Sequence, residues 1–144
     1  MASEATFSRY YSKLSETDGP EILMNNLLDQ SIELNLLETE IMAIDASKLE
    51  AYERAKPKSK IDKENDFTPD WGTKFDSHKN QITWFGWKIH AAVETKSELP
   101  IALTLTPANH ADKTQAIPLV EKVNEFLAER DLIKPKYWTM DSGY

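Results

Sequence analysis

The sequence predicts an α/β fold, a mixed sheet with helices packed on it, preceded by an N-terminal helical segment. Three observations predict this. Two short apolar runs end on an acidic residue, Ile41 to Asp45 and Tyr137 to Asp141. Two alternating segments are joined by a short polar turn, and apolar residues at helical spacing fill the stretches before and between them. A chain of 144 residues with 40% hydrophobic content sustains one modest core. The expected organisation is a helical segment over 1–38 and one globular unit over 39–144.

Asp18-Gly19-Pro20 reads as a helix start, with Asp18 able to cap and Pro20 tolerated in the first turn. Ile22, Leu23, Leu27, Leu28, Ile32, Leu34 and Leu36 continue at roughly helical spacing, so a helix is expected over about 20–36. Phe7 to Leu14 reads as a further short helix or as the end of another domain. Residues 39–45 are apolar on both faces, as in a strand covered from both sides, and end on Asp45. From Lys56 to Gln81 the composition shifts to Pro, Lys, Asp, Asn and Ser without periodicity, which predicts a loop insertion. Trp84 to Thr95 alternates, with Phe85, Trp87, Ile89, Ala91 and Val93 on one face and Gly86, Lys88, His90, Ala92 and Glu94 on the other. Pro100 to Thr106 alternates as well, and the two segments read as an antiparallel hairpin. Ala116, Leu119, Val120, Val123 and Leu127 mark a helix that starts near Thr114 to Ala116, because Pro118 fits only its first turn. Tyr137 to Met140 is the last strand. Trp84, Trp87 and Trp138 are expected in the core.

The chain lacks cysteine, which excludes disulfides and thiolate metal sites and suits a reducing cytoplasm. It has no run of about 18 apolar residues, so a membrane partner is not expected. The net charge of −7 argues against a nucleic-acid binder, but its distribution softens the objection. Residues 1–47 hold nine acidic and two basic side chains and account for the whole excess, and the remainder balances at fifteen of each sign. Lys48, Arg54, Lys56, Lys58, Lys60 and Lys63 face only Glu50, Glu53 and Asp62, a locally basic arm directly after Asp45. The arm reads equally as a solvated lysine-rich loop or as a tracker of DNA phosphates.

Strands reached through a helical crossover tend to return parallel to a neighbour, and ligands collect beyond the carboxyl ends of parallel strands. With neighbouring strands about 4.8 Å apart, Asp45 and Asp141 would share a divalent cation, which points to metal-assisted chemistry on phosphate. Oxygen-only ligands favour magnesium or manganese, and the absence of close-spaced histidine pairs argues against zinc. The competing reading makes each aspartate the cap of a turn. Lys88 and His90 read either as polar groups at the sheet surface or as supports that bond a carboxylate or phosphate. His110 and Asp112 precede a helix, where Asp112 either serves its N-terminus or borders the site and helps to position DNA. Trp71, within the polar loop, reads as packed or as a platform for an unpaired base.

The residues and their order resemble the DDE transposases of bacterial insertion sequences. Ile44-Asp45-Ala46-Ser47 is similar to the IDAS-like motif of the first catalytic acid, and Asp141-Ser142-Gly143-Tyr144 to the DSGY-like motif of the second. GWKIH (Gly86 to His90), TPANHAD (Thr106 to Asp112), KLEAYERAKPK after Asp45, and DWGTK also resemble the family. The resemblance implies an RNase H-like mixed sheet, incomplete here, with Asp45 and Asp141 as catalytic metal ligands. It further implies metal-dependent DNA cleavage and strand transfer, with transposon ends and target DNA as partners and a possible homo-oligomer. The family's third carboxylate is a glutamate on a helix after a further strand, and no position here matches it; Glu121 and Glu125 lie on the wrong helix. The expectation is therefore a fragment truncated before that residue, with weak or absent metal binding and little catalysis of its own. Two alternatives stand: an inactive relic acting as a DNA-binding or protein-interaction module, and a nuclease with an RNase H-like fold.

Overall fold

The computed structural model describes residues 3–53, 55, 68–76 and 78–144. Residues 1–37 and 38–144 form separate compact units. In the first, α1 (Glu4–Ser15) is followed by α2 (Gly19–Glu33), with Pro20 in the first turn. Asp18 occupies the cap position without a side-chain bond; the Gly19 N–H instead donates to the Thr17 hydroxyl at 3.3 Å. Helix α2 stops before the expected residue 36 because Asn35 takes a left-handed conformation, φ 55°. The Leu36 N–H then reaches back to the Ser31 carbonyl at 2.9 Å, and the Asn35 N–H to Ile32 at 2.9 Å. This is the hydrogen-bond pattern that closes helices through a left-handed residue, and asparagine adopts that conformation more readily than most.

The second unit is a mixed five-stranded sheet: β1 (Ile41–Glu50), β2 (Asp70–Phe75), β3 (Gln81–Glu94), β4 (Pro100–Pro107) and β5 (Tyr137–Met140). A 3₁₀ turn at Asp112–Gln115 leads into α3 (Ala116–Ala128), with Pro118 in its first turn as expected. Strands β3 and β4 form the expected antiparallel hairpin. One edge of β3 carries β4 along Trp87 to Val93 and β2 along Gln81 to Gly86; its other edge carries β1, and β5 lies parallel to β1 outside it. This is an incomplete RNase H-like arrangement, as expected.

Two expectations need correction. Strand β1 does not end at Asp45; antiparallel pairing with β3 carries it on to Glu50, and only the pairing with β5 stops at Ile44. The stretch over 56–81 is not loop throughout, because Asp70 to Phe75 pairs with β3 as β2. Pairing supplied by a 14-residue partner imposes a strand on a polar segment with no periodicity of its own.

The faces of the sheet also differ from the pattern. Helix α3 packs on β3 and β4, and the buried sheet residues are those of the face that includes Met42, Ile44, Trp84, His90, Ala92 and Ala102. The core therefore takes the His90 face, and the more hydrophobic Phe85–Trp87–Ile89 face stays half-buried. Trp84 is buried, whereas Trp87 and Trp138 are only partly so. Gly72 makes the Trp84 position possible: a Cβ there would lie 2.6 Å from the indole ring.

Candidate functional site

The parallel register of β1 and β5 runs from Ile41 opposite Tyr137 to Ile44 opposite Met140. The next residues on the two strands are Asp45 and Asp141, so both acids leave neighbouring strands at one level, about 4.8 Å apart in backbone. Both are exposed. Each also accepts a local backbone bond: Asp45 Oδ1 from the Ala46 N–H within β1 at 2.7 Å, and Asp141 Oδ1 from the Gly143 N–H of the following turn at 2.7 Å. These local bonds leave the outer oxygens of both carboxylates open to a further ligand.

Asp112 joins this neighbourhood. A Cβ built on Gly143 would sit 3.0 Å from Asp141 Oδ1 and 3.7 Å from Asp112 Oδ2. Asp112 does not cap the helix; its Oδ1 accepts from Lys88 Nζ at 2.7 Å, and the same ammonium donates to the His110 carbonyl at 2.9 Å. The Lys88 cation thus ties β3 to the TPANHAD turn and neutralises one carboxylate. His110 contributes its backbone here, and its side chain is exposed.

His90 is fully buried, and its ring nitrogens share hydrogen bonds with the hydroxyls of Tyr144 (2.9 Å) and Thr106 (3.0 Å). Among the described residues it bonds no carboxylate, and register explains why it does not meet Asp45. His90 stands opposite Ala46 and Asp45 opposite Ala91, so the two side chains leave opposite faces of the sheet. Burial holds the His90 imidazole below its ordinary pKa of 6.5; Asp112 opposes this, and Lys88 and His110 reinforce it. Tyr144, which no pattern in the sequence marked for a role of its own, links this histidine to the acids. Its hydroxyl is pushed up from its ordinary pKa, first by burial and then by the charges of Asp112, Asp45 and Asp141. Three carboxylates are therefore near enough to act on one hydroxyl.

A cleft of about 80 Å³ is lined by Lys48, Lys74, Lys88, Asp112, Trp84 and Ala46, with Ser47 and Thr73 completing the lining. Lys48 pairs with Glu50 at 2.6 Å. Trp71 lies in β2 rather than in a loop, half-exposed and against Phe85, ring centroids 5.4 Å apart. Of the basic arm, Arg54, Lys56, Lys58, Lys60 and Lys63 lie outside the described residues.

Two carboxylates at one level offer oxygen donors suited to a hard cation, but fewer than such an ion normally takes. Among the described residues no group of three or more His, Cys, Asp or Glu side chains could hold a metal ion. The donors present fit magnesium or manganese in kind and are incomplete in number.

An RNase H-like sheet in which two acids stand level on adjacent parallel strands is an arrangement suited to metal-assisted chemistry on phosphate. A family profile described as Transposase DDE domain matches residues 37–144, and the chain belongs to this DDE transposase family. No curated protein and no solved structure matches the chain significantly. Domains of this family generally use divalent metal ions, and transposases bind DNA. Among the described residues, no helix is long and apolar enough to cross a membrane.

Proposed function

We propose that the chain is part of a transposase that cuts and joins DNA by metal-dependent phosphoryl transfer. The observation that carries this reading is the register of β1 and β5, which brings Asp45 and Asp141 level with each other within a matched transposase domain. Asp45 and Asp141 would hold magnesium or manganese, with further ligands that the described residues do not group around them. The chemistry supplied by such an ion is activation of a water or 3′-hydroxyl and neutralisation of charge on the leaving oxygen.

The remaining roles fall to the chain's own groups. Lys88 holds Asp112 and the TPANHAD turn in place beside Asp141. The His90–Tyr144 bond fastens the turn that carries Asp141 to the buried face of the sheet. Lys48 and the arm beyond it would track the DNA backbone without reading bases, and half-exposed Trp71 would lie against the nucleic acid. The absence of cysteine is compatible with action in the cytoplasm.

Manganese titration of the chain tests the reading, with binding followed by the ion's relaxation signal. Two carboxylates without a third should bind at about millimolar concentration. Asp45→Asn and Asp141→Asn should each weaken binding at least about tenfold, the loss of about 1.4 kcal/mol. Equal binding by the wild type and both variants would contradict the assignment. Supercoiled plasmid should remain uncut in the same mixtures.

A further inference from the structure

The geometry points to a separate phosphate-binding subsite: the cleft lined by Lys48, Lys74 and Lys88 holds a backbone phosphodiester of DNA beside the turn that carries Asp141. This inference rests on the reading that DNA is engaged at Asp45 and Asp141, and it names the surface along which the strand leaves them.

Size and charge carry it. The cleft, about 80 Å³ and open to solvent, has room for a single tetrahedral anion. Three lysines line it against one acid, Asp112. Lys88 is committed to Asp112 and the His110 carbonyl, and Lys48 to Glu50 at the surface. Lys74 has no ion pair among the described residues and remains available to an incoming anion.

Position carries it as well. Ala46 and Lys48 alternate with Asp45 along β1 and share the face of Lys88 and His90, so the cleft adjoins the site from the Asp141 side. Asp112 belongs to both places, since it lines the cleft and its carboxylate also lies beside the Asp141 turn. Lys74 is on the same face because β2 pairs Lys74 with Ile82 and Gly72 with Trp84. A loop would not fix that orientation.

The test is binding of a fluorescently labelled duplex of about 20 base pairs to the chain, measured by anisotropy across a salt series in the presence of a chelator. Removal of one phosphate contact lowers the slope of log K against log salt by about 0.9 and weakens binding by about tenfold at 50 mM salt. Lys74→Ala should show both effects and Lys74→Arg should restore binding, while Lys134→Ala, on the α3–β5 connection, should match the wild type. Lys74 is an exposed residue of β2, and unchanged thermal melts would show that the variants fold. No binding by the wild type, or a Lys74→Ala curve that overlays it, would overturn the subsite. Because no divalent ion is present in this assay and manganese is titrated without DNA, failure of the metal assignment and failure of the subsite give different results.

Discussion

At the scale of single residues, Asp45 and Asp141 stand out because each follows a short apolar run, and the register of β1 and β5 sets them level. His90 was not legible as a core residue. Its alternation partners Lys88 and Glu94 made the face look polar, yet His90 is fully buried and Glu94 is 1% exposed to solvent. Both are buried because their hydrogen bonds are satisfied internally: His90 by two hydroxyls, and Glu94 by the Lys96 and Ser97 N–H groups at 2.7 Å and the Ser97 hydroxyl at 2.5 Å. Removal of the imidazole leaves two hydroxyls without partners and a void, so His90→Ala should cost about 2 to 3 kcal/mol in urea denaturation. The pH dependence has a definite sign. A histidine held neutral by burial binds fewer protons when folded than when unfolded, so its contribution is complete above about pH 6.5 and is lost as pH falls toward the lower folded value. The urea midpoint should drop between about pH 7.5 and 5.5 in the wild type and drop less in His90→Gln; identical slopes would contradict a buried neutral imidazole.

At the scale of elements, strands β1, β3, β4 and β5 and helix α3 could be read from periodicity because each has an apolar face of its own. Strand β2 could not. The segment Asp-Trp-Gly-Thr-Lys-Phe has little intrinsic strand character, and it is held by the ladder to β3 and by Asn109 Nδ2, which donates to Asp70 Oδ2 at 2.8 Å. The junction that permits this lies at Gly86, where the edge of β3 passes from β2 to β4. Gly86 has φ +155°, and a Cβ there would lie 2.1 Å from the Leu49 carbonyl oxygen and 2.8 Å from the Ala51 nitrogen. Backbone atoms in a paired strand cannot yield by that distance. Gly86→Ala should therefore destabilise the chain by at least about 2 kcal/mol, read as a lowered thermal midpoint. A midpoint equal to the wild type would show that β1 and β3 are not joined as described. The end of α2 was misread for a related reason: Leu34 and Leu36 continue the apolar spacing, but Asn35 turns the backbone out of the helix first.

At the scale of the whole molecule, the sheet order follows from connections that the sequence makes plain: a hairpin, then a helix, then a strand that returns parallel. Topology is what brings together acids 96 positions apart in the sequence, and local pattern alone leaves that step open because a returning strand can take either edge. The charge distribution is similarly a global property. The acidic excess of −7 belongs to residues 1–47, while the lysines that border the cleft come from three different strands and are scattered in sequence. Convergence of Asp45 and Asp141 is the feature on which the functional reading stands, and the lack of native cysteines allows a clean test. Adjacent strands about 4.8 Å apart fall inside the roughly 4.4–6.8 Å range of Cα separations that a disulfide spans. The most direct measurement is mass-spectrometric mapping of the Asp45→Cys/Asp141→Cys variant after mild oxidation. A 45–141 crosslink within the monomer is the expected result, and two free, alkylatable thiols would contradict it.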